Sequence, residues 1–191
     1  MNKTVKIMLI AIAVVIVVVA ILAAVFMVNS KQKTNLAPVN SSEELSALVD
    51  KIYEEINIEL PMVQSQEMDV TQADMVAYVT GLEDGTKLEY LVVSEPLMTS
   101  QPYSLVLVKV KSGVDANQIA KEMSEKVDMA KWICVEAEKL YATSSGNIVC
   151  LVMSSEDTAT AIYEKFKTLA GNVNEVYEKT PAPIELPPEM Y

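Results

Sequence analysis

Two residue types are missing from this 191-residue chain. It has no histidine, and all 15 basic residues are lysine, so arginine is absent as well. Without an imidazole there is no Ser-His-Asp or Cys-His catalysis, no zincin helix and no histidine-ligated haem. Without a guanidinium there is no planar fork for phosphates or guanine edges. Positive charge is scarce overall, 15 basic against 26 acidic side chains for a net charge of −11, which argues against nucleic acid. Cysteine is limited to two residues and tryptophan to one.

What the chain has in excess is concentrated in one place. Residues 7–28 form an unbroken apolar run of 22 residues, from Ile7 to Val28. A bilayer core of about 30 Å needs roughly 20 helical residues, so the run reads as a transmembrane helix. A cleavable signal peptide would have a shorter core and a small-x-small site beyond it, whereas this run ends Ala23-Ala24-Val25-Phe26-Met27-Val28. No cysteine follows it to accept lipid, because the first is Cys134. Lys3 and Lys6 precede the run and Lys31 and Lys33 follow it, so with the α-amino group the bias toward a cytoplasmic N-terminus is slight. From Ser41 onward 11 lysines face 26 acids, a composition compatible with export. The expectation is a plasma-membrane, single-pass protein with its C-terminal domain outside.

The remaining chain divides by composition. Residues 1–6 are a short flank, 29–40 a polar stalk, 41–179 one domain, and 180–191 a tail with Pro181, Pro183, Pro187 and Pro188. Within the domain, Ser41 with Glu44 makes a capping box ahead of Leu45, Leu48, Val49, Ile52 and Ile56 at helical spacing, and Leu60-Pro61 closes that helix. Asp115 caps a second helix carrying Ala116, Ile119, Ala120, Met123, Val127 and Ala130. A third opens at Ser154–Asp157, carries Ala159, Ile162, Tyr163, Phe166 and Leu169, and ends at Gly171. Residues 71–80 fit either a helix ending at Gly81 or a strand through Val76–Thr80. Strands are expected at Leu88–Val93, Leu105–Val110, Val135–Ala142 and Ile148–Met153, the last apolar on both alternating faces and so covered on both sides. The fold class expected is α+β, a two-layer sandwich of a mostly antiparallel sheet with helices packed on it.

The chemistry-bearing residues are few. If Ser144–Asn147 is a tight turn, Thr143 faces roughly Asn147 and Cys150 roughly Leu140. Cys134 then lies six residues further, about 20 Å away at ~3.3 Å per residue. That is too far for a disulfide, so two free, buried thiols are expected. Cys150 sits in Ile-Val-Cys-Leu-Val, and the cation nearest Cys134 is Lys131; neither environment suits a reactive thiolate. Carboxylate pairs suited to glycoside hydrolysis occur at Glu54/Glu55, Glu83/Asp84, Glu136/Glu138 and Glu156/Asp157. An acidic surface produces such pairs by chance, and Glu156 and Asp157 also suit a helix N-terminus. The loop Ser94–Pro102 carries Leu97 and Met98 in polar surroundings, with Tyr103 beyond it. These three are candidate partner contacts, the alternative being a lid tucked over the core. The eleven methionines read as core filler.

Three segments carry a likeness. Lys109-Val-Lys-Ser-Gly113 leading into the Asp115 helix, Lys131-Trp-Ile-Cys-Val-Glu-Ala-Glu138, and Gly146-Asn-Ile-Val-Cys-Leu-Val-Met153 resemble a family of small extracytoplasmic domains of Gram-positive anaerobes, catalogued as a domain of unknown function. The likeness spans about Ser42 to Leu169. It implies an α+β fold carried on a lipoprotein signal or a single N-terminal helix, and it brings no active-site residues. This chain departs from the lipoprotein form in lacking a lipidated cysteine. The combined expectation is a membrane-anchored binding or scaffolding protein of the cell envelope, contacting envelope proteins or wall polymer. No residue pattern assigns it a catalytic, cofactor or metal site. The rival is an envelope hydrolase using a carboxylate pair, which should show two acids of raised pKa converging in a deep pocket.

Overall fold

The computed structural model describes residues 34–54, 56–98 and 100–181, all within one unit of the chain, Gln32–Tyr191. The apolar run at 7–28, its flank at 1–6 and the tail from 182 lie outside the described residues, as does the first part of the stalk. Among the described residues no helix is long and apolar enough to cross a membrane.

The elements follow in the order α1 (Ser42–Tyr53), β1 (Val63–Glu67), α2 (Ala73–Thr80), β2 (Leu88–Pro96), β3 (Ser104–Val110), α3 (Ala116–Lys126), β4 (Lys139–Ser145), β5 (Ile148–Ser154), α4 (Glu156–Ala170) and β6 (Tyr177–Lys179). The six strands form one sheet in the order β1-β2-β3-β5-β4-β6, and every neighbouring pair is antiparallel. The fold is α+β, as the hydrophobic pattern implies.

The layer count differs from expectation. Every residue of β3 and β5 is buried, because helices cover both faces of the sheet. On one face Val76 and Val79 of α2 and Ile119, Ala120 and Met123 of α3 pack with Leu91, Val93, Val106, Val108, Leu140 and Leu151. On the other, Leu45, Val49 and Ile52 of α1 and Ile162 and Phe166 of α4 pack with Val92, Leu105, Leu107, Cys150 and Val152. The two-layer expectation is therefore corrected to three layers. A strand apolar on both alternating faces needs two covers, and each fully buried large side chain contributes about 1.5–3 kcal/mol.

Local signals explain the helix ends. Ser41 Oγ accepts the Glu44 N–H at 3.2 Å, and Glu44 returns to the Asn40 N–H at 2.6 Å. Helix α1 stops at Tyr53, not at Leu60, because Glu54 leaves helical geometry with ψ 133°; Ile56 and Leu60 still pack against the core from an irregular segment. Asp115 caps α3 through the N–H groups of Asn117 and Gln118, and α3 ends at Lys126, so Ala130 is not on it. The open alternative at 71–80 resolves to helix α2, closed by Gly81 at φ 76°. A Cβ at Gly81 would meet Val127 N at 2.4 Å, so the ends of α2 and α3 touch there through backbone alone.

The β4–β5 hairpin is tighter than expected. Ser145 pairs Ile148 and Thr143 pairs Cys150, leaving Gly146-Asn147 as a two-residue turn. Gly146 supplies the positive φ of 60° that such a turn requires, and the expected pairing of Cys150 with Leu140 is thereby displaced. The described part of the expected stalk, Thr34–Asn40, lies against the domain: Asn35 N–H reaches Ala170 C=O at 2.8 Å, and Ser145 Oγ donates to Thr34 Oγ1 at 2.9 Å.

Candidate functional site

The loop after α3 is fastened across the face made by α2 and α3. Ala137 N–H bonds Met129 C=O at 2.8 Å and Glu138 N–H bonds Ser154 C=O at 2.9 Å, while Met129, Trp132 and Ala137 enter the core. Lys131 is carried inward with them, and its side chain is 2% exposed. A buried ammonium must be paired. Its Nζ lies 2.5 Å from Glu95 Oε1, at the end of β2, and donates to Ser104 Oγ at 3.3 Å. Ser104 Oγ in turn donates to Glu95 Oε1 at 2.8 Å. The rings of Tyr78 and Trp132 flank the ammonium, with centroids at 5.0 and 5.5 Å. Burial lowers the Lys131 pKa and the Glu95 carboxylate opposes that shift. Burial also raises the Tyr78 phenol, with Glu95 and Asp128 adding to the rise.

A lysine beside a serine is a known nucleophile–base arrangement. Here it is closed to substrate. Ser104 is fully buried, and its hydroxyl proton is directed to Glu95. The trio therefore works as a clamp fixing the loop to the ends of β2 and β3.

Around this clamp the surface is apolar. Ile133, two residues beyond Lys131, is 67% exposed, and Leu97 and Met98, just beyond Glu95, are 59% and 65% exposed. Met62 is exposed beside Leu97, whose N–H bonds Met62 C=O at 3.2 Å. Tyr78 reaches the Lys131 carbonyl at 3.5 Å, and Met75 lies one helical turn before Tyr78, both partly exposed. All six exposed large apolar residues among the described ones are thus within a few residues of the clamp or of its hydrogen-bonded neighbours. Methionine contributes Met62, Met75 and Met98 to this surface, which corrects the core-filler expectation for those three; Met123 and Met153 do fill the core.

Of the three expected contacts, Leu97 and Met98 are displayed and Tyr103 is not. Tyr103 is 1% exposed, and its hydroxyl is 2.7 Å from that of Tyr53. It is a core residue, since α1 and β3 close over it. The thiols also part company. Cys150 is buried, and burial pushes its thiol well up. Cys134 is exposed at φ 59°, against the expectation of burial. Neither is in a disulfide.

Glu83, Asp84 and Glu138, members of two of the carboxylate pairs, take structural roles. Asp84 accepts from Thr86 N and Oγ1 at 2.8 and 2.6 Å, which holds its pKa down. Glu83, Asp84 and Glu122 line a shallow groove of about 170 Å³ with Lys87. Lys126 is 2.8 Å from Glu122 and 3.7 Å from Glu83, and it lowers the Glu122 pKa. Glu138 accepts the Glu156 N–H at 3.1 Å, capping α4 from outside the helix. Glu55 lies outside the described residues. Every described carboxyl whose pKa is shifted, namely Glu43, Asp69, Asp84 and Glu122, is shifted downward, the wrong direction for a general acid. A larger groove of about 410 Å³ runs between Asn35–Val39 and α1, and its only ionisable lining residues are Glu44 and Lys51. Among the described residues no cluster could hold a metal ion.

No protein-family model matches the chain, and no curated protein or solved structure is significantly similar to it.

The clamp is not legible in the sequence: Lys131 stands out there as a neighbour of Cys134 and as the start of the Lys131–Glu138 segment, and Glu95 is 36 positions away. One cue is present: the single charge in Met129-Ala-Lys-Trp-Ile-Cys134, an otherwise apolar stretch, needs a partner if the stretch is buried.

Proposed function

We propose that this chain is a single-pass membrane protein whose domain binds or scaffolds a partner outside the cytoplasm, through the apolar surface around the Lys131–Glu95–Ser104 clamp. The observation that carries the reading is that the exposed Leu97 and Met98 follow Glu95, Ile133 follows Lys131, Tyr78 flanks the Lys131 ammonium, and Met62 is hydrogen-bonded to Leu97. Monomeric proteins scatter such side chains singly, and contiguous apolar surface marks contact sites. The clamp matters because it holds the 131–134 loop in place before any partner arrives, which lowers the ordering cost of binding. The membrane part rests on the 22-residue apolar run alone. The hydrolase alternative is disfavoured by the downward carboxyl shifts: of the acids that share a groove, Asp84 and Glu122 are both lowered, not raised.

The experiment is site-specific photo-crosslinking in the membranes of cells expressing the full chain. A cross-linking side chain at Leu97 or Ile133 is expected to give a discrete adduct, and one at Glu178 on the far edge is not. Equal labelling from both edges, or none from Leu97 and Ile133, defeats the reading. Protease added to intact cells should remove the domain; protection would place it inside.

A further inference from the structure

The two ends of the sheet are built differently. β6 is three residues long, pairs only with Leu140–Ala142, carries Glu178 and Lys179, and runs into Pro181. Short, charged, proline-flanked edges resist added strands. β1 is less protected: it is two residues longer, carries a single charge at Glu67, and has its nearest proline, Pro61, before the strand. Its five residues Val63-Gln-Ser-Gln-Glu67 pair β2 in unbroken register, with no lysine, no proline and no bulge. The Leu97 N–H to Met62 C=O bond and the Met68 N–H to Leu91 C=O bond at 2.9 Å fix which residues face β2. By alternation Met62, Gln64, Gln66 and Met68 do, so Val63, Ser65 and Glu67 turn their N–H and C=O groups to the open side. Among the described residues no strand lies beyond them.

Charge selects what the edge would take. Residues 34–104, which make α1, β1, α2 and β2, carry only Lys51 and Lys87 against thirteen acids, whereas residues 105–181 carry nine lysines against eleven acids. Glu54, Glu59, Glu67 and Asp69, all exposed, lie on or within about ten residues of β1 in sequence. A second copy would bring the same negative half against itself. A cationic strand would be drawn in.

Resting on the reading of this end as a binding surface, we propose that the free edge of β1 accepts an extended, lysine- or arginine-bearing segment of a partner protein as a seventh, antiparallel strand. Its backbone pairs with Val63, Ser65 and Glu67, its apolar side chains on one face run beside Met62 and Leu97, and its cations meet the acids around β1.

The test uses the full chain in detergent micelles and an acetylated, amidated heptapeptide of alternating Lys and Val. Comparison peptides carry Glu for Lys, or the same residues N-methylated at every central amide. Binding of the Lys/Val peptide is expected, and it should weaken at least about tenfold with either comparison peptide. Ser65→Pro should weaken it similarly, because proline removes an outward N–H that the β1–β2 ladder does not use. The N-methylated peptide asks the same question with no substitution, should Ser65→Pro fold poorly. No binding at millimolar peptide, equal binding of the N-methylated or Glu/Val peptide, or a dimer of the free chain that Ser65→Pro abolishes would each overturn the proposal. So would amides of Val63, Ser65 and Glu67 already slow to exchange in the isolated monomer, which would mean that a segment of this chain fills the edge. Cross-linking from Leu97 that persists while the peptide fails would sink strand addition alone and leave the binding surface standing.

Discussion

Each end of the sheet has a lysine–carboxylate pair, and the two differ in burial. At the β1 end Lys131 is buried and pinned to Glu95, with Ser104, Tyr78 and Trp132 around it. At the β6 end Lys139 meets Glu178 at 2.6 Å, with the glutamate side chain 53% exposed. The first pair is the more deeply buried: the lysine side chains are 2% and 14% exposed and their glutamates 26% and 53%. The β1 end displays the exposed apolar side chains and the less protected edge; the β6 end has a short charged edge. Rigidity and stickiness coincide, as expected of a preformed contact surface.

Breaking the clamp should have the largest effect. Lys131→Met leaves Glu95 without its cation and is expected to cost about 3–5 kcal/mol in urea unfolding. Lys131→Met combined with Glu95→Leu should recover much of that loss. Lys139→Met at the other end should cost about 0–1 kcal/mol. Equal losses at the two ends would erase the distinction.

Alkaline pH should act next, and the buried acids and the buried ammonium pull in opposite directions. Cys150 and Tyr103 are buried on the α1/α4 face, and both hold their protons to higher pH than their ordinary values of 9.0 and 10.0. As pH rises through those ordinary values the unfolded chain loses these protons first, so stability falls. Lys131 is lowered from its ordinary 10.5, so its folded state releases the proton first and stability gains as pH rises toward that value. The phenols of Tyr53, Tyr78, Tyr163 and Tyr177 and the ammoniums of Lys126, Lys139 and Lys167 are raised as well, so Lys131 is outweighed and the urea midpoint should fall above about pH 9. Cys150→Ala should flatten the slope, and Lys131→Met should steepen it. In native protein a thiol reagent should titrate Cys134 alone, and Cys150 only after unfolding.

The smallest expected effect on stability is at the contact surface itself. Leu97→Glu and Ile133→Glu should change folding by no more than about 0.5 kcal/mol, since both side chains are exposed. Leu97→Glu should abolish the adduct formed from Ile133, and Ile133→Glu the adduct formed from Leu97, separating the role of the surface from that of the clamp beneath it.

The sequence displayed whatever depends on neighbours along the chain. Ser41 and Asp115 announced their helices, and Ile148–Met153 announced a strand covered on both faces. Both edge strands escaped, because Val63-Gln-Ser-Gln-Glu67 and Tyr177-Glu-Lys179 have little apolar alternation and owe their form to the strands they pair with. The second helical layer is implicit in that doubly apolar β5. Leu97 and Met98 stood out as apolar residues in a polar loop. Met62, Tyr78 and Ile133 could not be joined to them without the tertiary contact between Lys131 and Glu95. Tyr103 misled because nothing local shows that Tyr53 satisfies its hydroxyl.

The central claim is that the β1 end, and not the β6 end, is where this domain meets its partner. Amide exchange of the full chain, measured in isolated membranes from expressing cells and again after purification in detergent, tests it most directly. The expected result is extra protection in the membranes at residues 62–67, 97–98 and 131–134, with none at 177–179. Protection confined to 177–179 or α4, or identical exchange in both preparations, would contradict it.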